Sequence, residues 1–323
     1  MEYVYLIMVC VFFSTQFIFY KNYQLRTDGS LMSCAWFALL SGLGSVIAFS
    51  FEAPRGFGDD PTVWVLALLY AVSFILTIVT AIPAMKLGSM ATLTTFTLIG
   101  SMLMPFLYGI IWLDEPAGPA KWLGIACIFG SLVPDIIANL KSKSRTDAAQ
   151  KSRSVKLLFI TLCLLNFLGN GVANTIAKLL GVVSADYGAM RFLELSALMR
   201  VALALVMIAL LVLIPRAKRG RLAEAEPIAL RGELTRGVGD GTRRGFWITV
   251  AIGGGFSLTN LLGSVSSFLC AERMDSSFQF PVSNAAIIIL TMLITTFVFR
   301  EKFRWNNAAA LVLALAGIVL LML

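Results

Sequence analysis

Ten runs of about 18 or more predominantly apolar residues recur along the chain, each bounded by charged residues or by glycine and proline. That is the length an α-helix needs to cross a hydrocarbon core about 30 Å thick. Within lipid, a lone segment satisfies its backbone hydrogen bonds only by becoming a helix. The runs lie near 3–20, 31–51, 62–85, 89–113, 119–139, 155–177, 192–214, 246–270, 278–299 and 305–323. They consume most of the 323 residues and leave little room for a soluble domain. With 58% of residues hydrophobic and 14% charged, the composition needs lipid around it. The expected fold is therefore all-α and integral to the membrane, with ten transmembrane helices. The seventh run is the least regular, because Arg191, Glu194 and Arg200 interrupt its first half.

The first run opens with Met1-Glu2, lacks a basic flank and shows no small-residue cleavage pattern before Lys21, so it reads as a helix rather than a secretory signal. The net charge of +8 is concentrated in two loops. Residues 141–156 carry six Lys or Arg against Asp147, and residues 215–245 carry eight against Glu224, Glu226, Glu233 and Asp240. The rest of the chain is about neutral, so the charge is topogenic and implies no nucleic-acid partner. On alternate sides of the ten runs the Lys and Arg divide 20 against 5, with Arg200 left out as intramembrane. The positive-inside tendency then places both termini outside the cytoplasm, in a multi-pass protein of the cytoplasmic membrane.

The chain contains no histidine, which excludes histidine catalysis, proton relays and histidine metal sites. Cys10, Cys34, Cys127, Cys163 and Cys270 stand singly within apolar runs and read as small core residues. No metal or cofactor is implied. An integral-membrane enzyme would need paired acids or an activated nucleophile, and no such cluster is evident.

The two halves echo one another. Phe13-Ser-Thr-Gln-Phe-Ile-Phe-Tyr-Lys21 ends run one, and Asn170-Gly-Val-Ala-Asn-Thr-Ile-Ala-Lys178 ends run six. Tyr108-Gly-Ile-Ile-Trp-Leu-Asp-Glu115 closes run four, and Thr295-Thr-Phe-Val-Phe-Arg-Glu301 closes run nine. Each is followed by a polar joint and a helix with a central glycine, Gly130 and Gly317. Five runs per copy is an odd number, so the copies insert in opposite senses. The expected organisation is a first five-helix repeat at 1–140, a basic cytoplasmic linker at 141–154, and a second repeat at 155–323 with a basic loop at 215–245.

On these residues, with Arg200 near the second helix of its repeat, the sequence resembles the drug/metabolite transporter superfamily, in its ten-helix EamA-like branch. The resemblance covers nearly the whole chain and implies a central cavity between two inverted halves, with export or exchange of metabolites by alternating access. Many relatives appear cytoplasmic at both ends, which the charges here contradict. Small four-helix relatives use a glutamate inside the first helix for proton antiport; here Glu2 stands at the very start of run one and run six has no carboxylate.

Polar side chains inside spans are costly unless they face a cavity or a partner. Ser257, Asn260, Ser264 and Ser267 form a narrow seam on run eight, and Asn166, Asn170 and Asn174 recur every fourth residue on run six. Run four offers Thr94, Thr97, Ser101 and Tyr108; run nine offers Asn284, Thr291 and Thr295; run three offers Ser73, Thr77 and Thr80. Ser and Thr can instead bond their own helix carbonyls. Asparagine has a wider amide to satisfy, which marks Asn166, Asn170, Asn174 and Asn260 as candidates to face a solute. Arg200 either pairs with Glu194 or a carbonyl, or attracts an anionic group.

Uncharged hydroxyls and amides suit amino-acid or nucleoside-like solutes. The expected function is thus secondary transport of a small polar metabolite, as exporter or facilitator. An exchanger of phosphorylated metabolites or nucleotide sugars is the alternative if Arg200, Lys21 and Lys178 offset anionic charge. Multidrug efflux is another, with Glu194 the candidate carboxylate. The expected partners are the solute and membrane lipids, and the chain is expected to act as a monomer, with a dimer the alternative.

Overall fold

The computed structural model describes residues 2–27, 29–50, 57–58, 60–112, 114, 118–141, 149–183, 187–213, 243–271, 276–300 and 305–322. The described residues are helical with short joints. The helices are α1 (Glu2–Arg26), α2 (Leu31–Phe49), α3 (Pro61–Leu87), α4 (Met90–Trp112) and α5 (Pro119–Lys141). They continue as α6 (Ala149–Val183), α7 (Ala189–Leu213), α8 (Arg243–Ala271), α9 (Ser276–Phe297) and α10 (Trp305–Met322). Among the described residues, α1 to α4 and α6 to α8 are long and apolar enough to cross a membrane.

Boundaries differ from the hydropathy pattern where polar residues continue a helix beyond its apolar run. α1 passes Lys21 and ends at Arg26. α6 begins at Ala149, taking in the last part of the segment expected to be a linker. The rest of that linker beyond Lys141, and nearly all of the loop at 215–245, lie outside the described residues, as do Glu115 and Glu301. Local chemistry sets other ends. Ser30 caps α2 by accepting from Ser33 N–H at 3.3 Å, after Gly29 turns the chain at φ 73°. Asp60 caps α3 by accepting from Thr62 N–H at 2.9 Å, with Pro61 in the first turn. Pro83 and Pro105 lie inside α3 and α4.

Eight helices pack side by side in a closed ring, in the order α2, α7, α3, α6, α4, α9, α1, α8 and back to α2. α5 and α10 pack on one another and flank the ring. Small residues permit the close approaches. Gly42 of α2 lies against Val201 of α7, and Gly44 lies against Ser257 of α8. Gly100 of α4 lies against the Phe167 carbonyl of α6, and Gly317 of α10 against the Gly124 carbonyl of α5. A Cβ added at Gly130 or Gly254 would meet nothing within 4 Å among the described residues beyond its own stretch of helix.

The interior holds a cluster of rings. Tyr20 and Tyr23 of α1, Phe37 of α2 and Phe256 of α8 pack with centroids 4.6 to 5.2 Å apart. The outer surface is just as apolar: on α7, Leu205, Val206, Leu210 and Val212 are all more than half exposed. In water such a face would drive association; surrounded by lipid tails it is at home. This is the architecture of a multi-pass helical membrane protein. Cys10, Cys34 and Cys163 are buried and Cys127 is half-buried, none in a disulfide; the side chain of Cys270 lies outside the described residues.

Candidate functional site

Three polar groupings lie between the ring helices. The first joins α3, α4 and α6. Asn166 is fully buried, and its amide nitrogen donates to the Thr77 carbonyl and to Thr80 Oγ1, both at 2.9 Å. Its Oδ1 lies 2.5 Å from the Thr97 hydroxyl, which also reaches the Leu93 carbonyl at 2.9 Å. The Asn166 amide is therefore committed to holding three helices together. One turn on, Asn170 donates to the Thr97 carbonyl at 3.0 Å and stays half-buried. Asn174 donates to the Asn170 carbonyl at 2.9 Å on its own helix. The every-fourth-residue stripe on α6 thus runs from a packed contact to a half-buried one.

The second grouping faces the middle of α9 and α8. Ser101 of α4, one turn from Thr97, donates to the Leu98 carbonyl at 2.7 Å and lies 3.3 Å from Asn284 Oδ1 on α9. Gln16 of α1 donates from Nε2 to Asn260 Oδ1 of α8 at 3.1 Å, with both side chains half-buried. Ser264 is half-buried one turn further along α8. The Gln16 and Asn260 amides keep some surface accessible, whereas Asn284 is buried.

The third grouping surrounds Arg200 of α7. Its Nη2 donates to Ser45 Oγ of α2 at 2.7 Å and points to the Ser41 carbonyl at 3.5 Å. The guanidinium stands over the Phe74 ring of α3, 4.1 Å from its centroid. Ser257 of α8 donates to the same Ser41 carbonyl at 2.8 Å. Glu194 does not pair with Arg200: its Oε1 accepts from the Ser50 hydroxyl at 3.3 Å, near the end of α2. Of the protein partners open from sequence, the carbonyl is the one approached, and the Ser45 hydroxyl, the closer partner, was not among them.

Other candidates sit apart from these groupings. Thr94 and Thr291 are buried and return their hydroxyls to their own helices, at the Ala91 carbonyl and at the Ile287 and Ile288 carbonyls. Tyr108 stacks on Trp112 with centroids 5.5 Å apart, toward the end of α4. Lys21 donates to the Met85 carbonyl at 3.3 Å, tying the end of α1 to the end of α3. Gln16, Ser41, Ser45 and Phe74 are the residues that sequence reading did not single out. The run Ser41-Gly-Leu-Gly-Ser45 carried a usable signal, since two serines one turn apart beside two glycines mark a helix face open to close contact.

No protein-family model matches the chain, and no curated protein matches it. Eighteen solved chains do match in fold. One of these, a crystal structure, overlays with a TM-score of 0.55 across 99% of this chain and 95% of the other, at 13% sequence identity. That likeness carries the fold alone.

Proposed function

We propose that this chain is a secondary transporter of a small polar organic solute, of amino-acid or nucleoside-like chemistry, working by alternating access in the cytoplasmic membrane. The observation that carries the reading is the half-accessible contact of Gln16 with Asn260, together with half-buried Ser101 on the buried Asn284, between the ring helices. Amides at that depth are costly in lipid, and they supply both donors and acceptors to a solute that sheds its water. The half-buried Asn170 and Ser264 are enlisted as further solute-facing groups, whereas Asn166 serves as a structural tie.

The reading includes ten membrane-spanning helices arranged as two inverted five-helix repeats. Packing around the ring supports it, because exchanging each helix with the one five places along returns the same ring neighbours. α1 on α8 answers α6 on α3, α4 on α6 answers α9 on α1, and α2 on α8 answers α7 on α3. α2, α4 and α5 pack on their own counterparts α7, α9 and α10. A pseudo-two-fold of this kind lets one half rock against the other around a shared site, and membership of the drug/metabolite transporter superfamily follows as part of the same proposal.

The test is a thermal-shift screen of the purified chain against amino acids, nucleosides, phosphorylated metabolites and cationic drugs, followed by flux of the stabilising class in proteoliposomes. Gln16→Ala and Asn260→Ala should each lower flux by tenfold or more, about 1.4 kcal/mol, while the protein stays folded. Unchanged flux in both variants would remove this surface from the transport path.

A further inference from the structure

We propose that Arg200 is an anion-binding subsite inside the ring and that the transported solute is an organic monocarboxylate with an apolar or aromatic body. The proposal rests on the transporter reading above and names the substrate class for it.

Arg200 is only 4% exposed. A guanidinium offers five N–H donors, yet its hydrogen bonds come from Nη2 alone, to Ser45 and at the distance limit to Ser41. Buried Nε has no acceptor. Among the described residues no carboxylate lies within ion-pair range of it, and the buried Glu194 on the same helix is engaged with Ser50. Ser45 and the Phe74 face offset part of the desolvation of the cation, but neither carries a negative charge. A buried charge without a counter-charge is strongly unfavourable, and a bound anion removes that penalty.

The guanidinium faces the ring interior. It stacks on Phe74 of α3, whose ring lies 6.3 Å from Phe256 of α8, a helix on the far side of α2. The hydroxyls of Tyr70 and of Tyr20, which packs in the ring cluster against Phe256, make no hydrogen bond with the described residues and so remain available as donors. Phe74, partly exposed and backed by the buried rings of Tyr20, Phe37 and Phe256, provides an apolar surface next to the cation.

Charge matching selects the class. One cation in a low-dielectric interior is neutralised by one negative charge, whereas a phosphate dianion would leave a net negative charge buried. A planar carboxylate presents two oxygens to guanidinium and phenol donors, and the ring cluster takes the body behind it.

The experiment compares acids with their uncharged isosteres on the full-length protein in detergent. Acetate, isovalerate and phenylacetate are matched against acetamide, isovaleramide and phenylacetamide, in wild type, Arg200→Lys and Arg200→Gln. Isovalerate and phenylacetate should raise the apparent Tm by about 5 °C at saturation while their amides do not. Arg200→Lys should weaken binding at least tenfold, and Arg200→Gln should abolish the shift. If Arg200→Gln does not fold, the wild-type comparison and Arg200→Lys decide. Equal shifts by acid and amide, an acid shift unchanged in Arg200→Gln, or no shift by any acid would each overturn the proposal. Proteoliposome flux separates it from the broader reading: flux of the amides without acid binding removes only the anion site, and flux of neither removes transport as well.

Discussion

Arg200 on α7 and Ser45 on α2 meet at 2.7 Å, the guanidinium donating to the serine hydroxyl, with both side chains buried between two helices that lie far apart in sequence. The contact exists because Gly42, one turn before Ser45, lets α7 approach; a side chain at that position would press on Val201.

Ser45→Ala therefore strips Arg200 of its one short acceptor and leaves only the Ser41 carbonyl at 3.5 Å. The expected loss is about 1–3 kcal/mol, read as a lower apparent Tm of the full-length protein in detergent. Thr161→Ala, whose exposed hydroxyl bonds only the Leu157 carbonyl of its own helix α6, should change stability by no more than about 0.5 kcal/mol. Equal effects would show that the Ser45 contact adds nothing.

Two asparagines should separate structure from transport. Asn166→Ala breaks contacts with Thr77, Thr80 and Thr97 at once and should destabilise by about 2–4 kcal/mol. Asn260→Ala loses one half-buried contact and should cost about 1 kcal/mol or less. Chemical denaturation of both variants beside a flux assay distinguishes them: Asn260→Ala keeps its fold and loses flux.

Helix approach at glycine gives a steric prediction. Gly100→Ala places a methyl group against the Phe167 carbonyl, which is backbone and cannot rotate aside, so a loss of about 1–3 kcal/mol is expected. Gly254→Ala has open space around it and should be neutral or gain up to about 1 kcal/mol from helix propensity. The two apparent Tm values, moving in opposite directions or one staying level, form the check.

Tyr187, before the first turn of α7, donates its hydroxyl to the Phe57 carbonyl at 2.6 Å and lies beneath the Arg191 guanidinium. Burial raises its phenol above the usual 10.0, with Arg191 opposing. A phenol whose pKa rises on folding is protonated more tightly in the folded chain, so its stabilising share is complete below pH 10 and is lost as pH climbs through the raised value. The stability gap between wild type and Tyr187→Phe should consequently shrink above pH 10. Apparent Tm from pH 8 to 11 measures it; a gap independent of pH would contradict the assignment.

The helices were legible because lipid imposes a one-dimensional rule: length and apolarity of a run are enough to announce a span. Their ends were less so, since α1 beyond Lys21 and the start of α6 at Ala149 continue through polar residues that hydropathy does not count as helix. The polar stripe on α6 was visible at its four-residue spacing, but its division was not. Asn166 and Asn170 differ by one turn, and only the positions of Thr77, Thr80 and Thr97 on two other helices make the first a packed tie and the second a half-buried contact.

By itself the sequence determined that this is a helical membrane chain and that Arg200 sits within an apolar span. Periodicity and run length are local properties, and a side chain in lipid obeys them regardless of its neighbours. Which groups answer Arg200 was decided by the tertiary structure. Ser45, Ser41 and Phe74 reach it from helices more than 120 residues away in sequence, and no local pattern encodes which helix faces which when side-chain packing, rather than aversion to water, selects the partner.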